Sequence, residues 1–163
     1  MNAILRRQIK LAAAALLGIA ACCAVLAQQV ERSAAPLAAE AAVRFASIDV
    51  VIDAPEPLAA WQFELSDGNG SMLIVGIENG DSAAFADAPY FDLDAVQAGR
   101  AERIVVADFN ASPGADLPQG TTRIATVHVR YDAQTSPDYQ LRLMAAGNAA
   151  GEPIDAAIEL ATR

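Results

Sequence analysis

Only two of the 163 residues are cysteine, and they stand side by side at Cys22 and Cys23. The rest of the chain beyond them has no thiol. That excludes a disulfide framework, a cysteine-ligated metal site and a cysteine nucleophile there. Lysine occurs once, at Lys10, and histidine once, at His128. A lone histidine with no cysteine to join it cannot make a His/Cys metal set, and no "GxSxG" or comparable run surrounds any serine to suggest a triad. Aromatic residues make up 6% of the chain, with Trp61 the single tryptophan. Rings so few and so dispersed do not form a row of exposed sugar-stacking platforms.

One long apolar run is present, and it lies at the start. "MNAILRRQIK" supplies Arg6, Arg7 and Lys10, and "LAAAALLGIAACCAVLA" follows without a charge. A basic n-region before an uncharged h-region is the pattern of a secretory signal, so residues 1–27 read as a helical leader cleaved after Ala27. "IAAC" at 19–22 resembles a lipobox and offers a lipoprotein anchored at Cys22 as the alternative. An uncleaved span sits at the lower limit of length for crossing about 30 Å of hydrocarbon. The expected location is therefore exported: periplasmic, extracellular or at the cell surface. Beyond the leader, eight arginines face 20 acidic residues, a net charge of −12. Such a body repels a phosphate backbone, which excludes nucleic acid as a partner and favours cations or basic protein surfaces. Residues 28–42, "QQVERSAAPLAAEAA", are alanine-rich with no sustained apolar face and read as a tether.

From Val43 the hydrophobic period becomes two, the mark of half-buried strands. "SIDVVIDA" places Ile48, Val50 and Ile52 on one face, and "LAAWQFELS" places Ala59, Trp61, Phe63 and Leu65 opposite Gln62, Glu64 and Ser66. By the same alternation Leu73, Val75 and Ile77 share a face, as do Val105, Ala107 and Phe109. "TRIATVHVRY" sets Ala125, Val127, Val129 and Tyr131 against Thr126, His128 and Arg130, and "YQLRLMA" and "IDAAIEL" complete seven strands. Turn-forming stretches such as "APEP", "DGNG" and "SPGADLPQG" separate them. With no alternation of strand and helix, the expected fold over 43–163 is all-β: an antiparallel two-sheet β-sandwich of jelly-roll type. Only 78–102 departs from period two. It is read as a structured loop with a task, or as a hidden short strand and a helical turn near "LDAVQAG".

Three features bear on chemistry. "DGNGSMLIVGIE" aligns Asp67, Asn69, Ser71 and Glu78 with calcium-loop positions, but Met72 occupies the place that needs glycine, so the stretch reads as a hairpin turn and no metal or cofactor is expected. Trp61 shares its face with Phe63 and Leu65 and therefore reads as core. "APYFDLD" offers Tyr90 and Phe91 beside Asp92 and Asp94 as an exposed binding patch, against the reading in which Phe85, Phe91 and Leu93 cap the open end of the sandwich. A second candidate is the polar face formed by Thr126, His128 and Arg130. Carboxylate pairs carry no weight in a chain this acidic, so no enzyme is expected.

The order "IDVVIDAPEPLAAWQFELS", "LIVGIENGD", "RIVVADFNA", "LPQGTTRIATVHVRY" and "GNAAGEPIDAAIEL" resembles the cohesin domain family across about residues 43–160. Cohesins are β-sandwich modules that bind dockerins in cellulase assemblies and are related to some carbohydrate-binding modules. The aromatic-Asp-Pro that usually follows the second of these strands is replaced here by "SDGNG", and no dockerin-contact residue maps onto this chain. The resemblance implies a secreted, non-catalytic, cohesin-like module attaching to a dockerin-type protein or to the cell surface. A carbohydrate-binding module linked to polysaccharide catabolism, or a structural envelope protein, is the alternative.

Overall fold

The computed structural model describes residues 42–162. The expected leader with its alternative at Cys22, and all of the expected tether except Ala42, lie outside the described residues. Seven strands form: β1 (Val43–Ala54), β2 (Ala60–Asp67), β3 (Met72–Asn79), β4 (Arg103–Phe109), β5 (Gly120–Asp132), β6 (Tyr139–Gly147) and β7 (Ala157–Thr162). Between β3 and β4 lie a 3₁₀ turn, Ala83–Phe85, and a short helix α1, Leu93–Gln97. The irregular 78–102 interval thus holds a helical turn at "LDAVQ" together with a one-residue bridge from Tyr90 to Ala107.

All strand pairs are antiparallel, in a four-stranded sheet of order β3-β5-β1-β7 and a three-stranded sheet of order β4-β2-β6. The protein is an all-β sandwich. Odd-numbered strands lie in one sheet and even-numbered strands in the other, so every connection between consecutive strands passes between the sheets. One consequence corrects the hairpin expected at "SDGNGS": β2 and β3 do not pair, and the turn is an arch between layers. Its shape is held by Asp67. The carboxylate accepts from the backbone N–H groups of Asn69 (3.1 Å), Ser71 (2.6 Å), Met72 (3.0 Å) and Asp138 (2.7 Å) and from the Ser71 hydroxyl (2.8 Å). Burial by itself would raise this carboxyl. The hydrogen bonds from Asn69, Ser71 and Asp138 outweigh it and hold the pKa near about 2.

The core lies between the sheets. Ile48, Val50 and Ile52 of β1 and Trp61, Phe63 and Leu65 of β2 are buried there, as the alternation expects. Trp61 is 2% exposed, stacks on Phe63 at 5.7 Å and meets Phe85 edge-on at 6.0 Å. In the first half of β3 and along β4 the expected faces are reversed, while Ile77, beyond the irregularity in β3, packs against the core as expected. Met72 and Ile74 are buried and Val75 is exposed; Ile104 and Val106 are buried and Phe109 is 60% exposed. Both strands carry apolar residues on both faces, so period two does not choose between them. In β3 an irregularity in register between Ile74 and Gly76 also breaks the alternation. A similar one opposite Val50 and Val51 lets Ile124 and Ala125, sequence neighbours in β5, both reach the core.

The outer face of the four-stranded sheet carries a polar network. Thr126, in register with Asp49 on one side and Glu78 on the other, is fully buried. Its hydroxyl donates to Asp49 Oδ1 (2.6 Å) and accepts from Arg123 Nη1 (2.7 Å). Arg123 also donates to the Asn79 carbonyl (3.0 Å) and pairs with Asp81. This network binds the end of β3 to β5. Gly80, where the backbones approach, has no room for a side chain: a Cβ there would stand 2.1 Å from the Arg123 carbonyl oxygen.

Candidate functional site

The outer face of the three-stranded sheet is built differently. Along β4 the outward positions are Arg103, Val105, Ala107 and Phe109; across the register from them on β2 stand Gln62 and Glu64. Gln62 Nε2 lies 3.7 Å from Met144 Sδ on β6, where the β2–β6 register shifts. Tyr90 joins the far side of β4, its N–H donating to the Ala107 carbonyl (2.8 Å) and its carbonyl accepting from the Ala107 N–H (3.0 Å). The bridge covers part of the β4 edge and aligns two rings: Tyr90 and Phe109 stack at 5.8 Å and 12°, although both are more than half exposed.

Tyr90, Phe109, Ala107, Gln62 and Met144 therefore make a largely apolar band across this face. Beside it Glu64, mostly buried, is held by Arg103 (2.7 Å) and Arg142 (3.6 Å). Two open grooves flank the ring pair. One, of about 520 Å³, runs past Gln62, Tyr90, Phe91 and Arg103. The other, of about 540 Å³, lies between Phe85, Asp87 and Tyr90 on one side and Phe109, Asn110 and Ser112 on the other, with Asp108 in its lining.

Asp108 is the unusual member. It points inward from β4, is 8% exposed, and uses Oδ1 to accept the N–H of Phe109 at 2.7 Å while Oδ2 has no partner. Burial pushes this carboxyl above the ordinary range; the Phe109 N–H opposes the shift and the neighbouring charge of Asp87 adds to it. Its cross-strand neighbour in register, Trp61, carries a buried indole N–H that also lacks a partner. One acceptor and one donor are left over at a single cross-strand pair, and such groups are few in folded proteins.

The sequence candidates fall into two sets on different sheets. Tyr90, Phe91 and Asp92 line the smaller groove. Asp92 is also the N-cap of α1, accepting from the Ala95 N–H at 2.9 Å, and Asp94 lies in its first turn. Phe91 is half-buried, Leu93 exposed and Phe85 buried. The second set belongs to the outer face of the four-stranded sheet. There Arg130 is exposed and His128 partly exposed, while Thr126 presents no accessible surface, being enclosed by its bonds to Asp49 and Arg123. His128 Nδ1 lies 3.0 Å from Ser47 Oγ. Glu78 Oε1 is 3.0 Å from His128 Nε2 but off its N–H direction, so that nitrogen makes no hydrogen bond. Ser47 and His128 are directly in register across β1 and β5, with Glu78 on the neighbouring β3. Among the described residues no group of three or more His, Asp or Glu is placed to hold a metal.

Sequence reasoning missed Phe109 and Asp108. The signal was present: a strand apolar on both faces, ending in an acid followed by a large ring, "VADF". No protein-family model matches the chain, and no curated protein matches it significantly.

Proposed function

We propose that this chain is an exported, non-catalytic binding module, cohesin-like in kind, that docks a protein partner on the outer face of its three-stranded sheet. The observation that carries the reading is the Tyr90–Phe109 pair: two large rings kept at the surface in stacked register, continuous with an apolar band and bordered by the Glu64 ion cluster. Exposed aromatics in an apolar patch with a charged margin are the composition of a protein interface. The partner's chemistry follows from charge. The described module is strongly acidic, and Asp87 and Asp92 line the grooves beside Tyr90, so the partner presents an apolar segment flanked by basic residues.

A photo-cross-linking amino acid at Val105, on this face, is compared with one at His128, on the other sheet, in extract of the producing cells. A stoichiometric protein adduct is expected from Val105 alone. The purified pair should then lose at least tenfold in affinity on Phe109→Ser, with the urea midpoint of the module unchanged. An adduct from His128 only, or from neither, would overturn the reading. Retention on insoluble polysaccharide, abolished by Tyr90→Ala, would replace it with the carbohydrate-binding alternative.

A further inference from the structure

We infer that Asn69 is a site of covalent self-modification, at which the side-chain amide is lost as ammonia and the arch between β2 and β3 gains an aspartyl or isoaspartyl residue. It stands apart from the docking reading, because the arch lies at the opposite end of β2 from the ring pair: Ser66 is in register with Arg103 there, whereas Ala60 is in register with Phe109. The dipeptide Asn-Gly occurs twice in the chain, at 69–70 and at 79–80. Asparagine is chemically labile, and a following glycine, having no side chain, leaves its own amide nitrogen free to reach the carboxamide. The fold separates two sites that are alike in sequence.

The Gly70 nitrogen attacks Cγ of Asn69. The N–Cγ bond forms, the Cγ–Nδ2 bond breaks, and Nδ2 leaves as ammonia with the proton that the Gly70 nitrogen gives up. Water then opens the cyclic imide at Cγ, giving aspartate, or at the main-chain carbonyl, giving isoaspartate with an extra carbon in the backbone path; nothing is oxidised or reduced. To react, the peptide plane between asparagine and glycine must turn about the asparagine Cα–C bond. At Asn69 little opposes this. Both residues are exposed, and Gly70 sits at φ 63° with no atom within 4 Å of where a Cβ would stand. The Gly70 N–H reaches the Asp67 carbonyl only at 3.3 Å, and Asn69 Nδ2 donates to the Ser136 carbonyl at 3.2 Å. At Asn79 the same turn is blocked. Its carbonyl accepts from Arg123 Nη1 (3.0 Å), its side chain donates to the Ala86 carbonyl (2.8 Å), and the Asp81 N–H donates to the Arg123 carbonyl (2.9 Å). The chain is thus fastened on both sides of Gly80, which itself lies against the backbone of Arg123 and Ile124. The product loosens the arch, because a carboxylate cannot donate to Ser136 and adds a negative charge beside Asp67, which already accepts from the Asp138 N–H.

The test keeps the full-length protein for several weeks at mildly alkaline pH and body temperature, in buffer and in parallel in guanidinium chloride, and follows each asparagine by peptide mapping with fragmentation that distinguishes aspartate from isoaspartate. In buffer Asn69 should convert at least about tenfold faster than Asn79. In guanidinium chloride, where only the shared dipeptide remains, the two rates should agree within about threefold. Protein converted at Asn69 should unfold at a lower urea midpoint than fresh protein. Asp67→Asn, which frees the Asn69 N–H from its acceptor, should speed conversion of Asn69 in buffer and leave Asn79 unchanged. Asn79 converting as fast as Asn69 in buffer, an Asn69 that persists in buffer while both sites convert in guanidinium chloride, or a difference in buffer that the unfolded chain reproduces would each overturn the inference. The comparison of the two asparagines within wild-type protein needs no variant to fold, so a failure of Asp67→Asn leaves it decisive.

Discussion

Asp67→Asn tests whether one carboxylate holds the arch between the sheets. Asp67 accepts five hydrogen bonds, three of them on Oδ2 from the N–H groups of Ser71 and Met72 and the Ser71 hydroxyl. Asparagine keeps one acceptor oxygen and turns an NH₂ toward the donors of the other. The depression of the carboxyl from 3.8 to about 2 corresponds to about 2.4 kcal/mol at roughly 1.4 kcal/mol per unit. Screening of a partly solvent-exposed group reduces that to about 1–2 kcal/mol. The sign follows from linkage: a carboxyl whose folded pKa is lowered stabilises the fold fully above the unfolded value near 3.8, and the contribution is lost as pH falls through about 2. Orphaned donors add a further cost that does not depend on pH. Urea unfolding of wild type and Asp67→Asn at intervals from pH 7 to pH 2 isolates the effect, since the other acids titrate alike in both. The midpoint difference should be about 1.5 M at pH 7, for about 2 kcal/mol at an m-value near 1.3 kcal/mol/M. It should narrow between pH 4 and pH 2. A difference that stays constant over that range, or that is below about 0.5 kcal/mol throughout, would show that the charge of Asp67 does not hold the turn.

Three other substitutions probe the remaining structure. Gly80→Ala should destabilise by about 2–3 kcal/mol in chemical denaturation, because the new Cβ meets the Arg123 carbonyl at 2.1 Å, and backbone on both sides leaves little to give. Thr126→Val keeps the shape and deletes the hydroxyl between Asp49 and Arg123; about 2–3 kcal/mol should be lost, and a neutral result would show that the network contributes nothing. The pair Asp108→Val with Phe109→Thr restores apolar-in, polar-out order at the end of β4, and should raise the urea midpoint while removing the photo-adduct at Val105.

How much of this was legible in the sequence varies strand by strand for one reason. Where one face is polar, as in Trp61, Phe63 and Leu65 against Gln62 and Glu64, alternation names the buried side and the structure agrees. Where both faces are apolar, as in Met72 and Ile74 against Leu73 and Val75, the choice is made by which sheet lies opposite, and the sequence contains no local record of that. Thr126 shows another limit. It does lie on the outward face, but its exposure depends on Asp49 and Arg123, one on another strand and one displaced by a β-bulge. The patch at Tyr90 was visible as an aromatic-acid cluster. Its other ring was not, because Phe109 comes beside it only through the Tyr90–Ala107 bridge.

The end of β4 connects these points. Residues Ile104 and Val106 obey the inward rule, and the next inward residue is an acid while its outward neighbour is a phenylalanine. Either exchange alone is tolerable: an exposed ring costs little, and a buried carboxyl can be satisfied by partners. Here the ring is exposed and stacked, the carboxyl is buried with an oxygen unbonded, and the two are consecutive. Packing alone would place them the other way round. Local rules broken twice in adjacent residues, at a groove edge, are what a fold shows where another demand acts on it. The strength of the docking proposal lies in that coincidence, because a sandwich selected for stability alone would keep neither Asp108 inside nor Phe109 out.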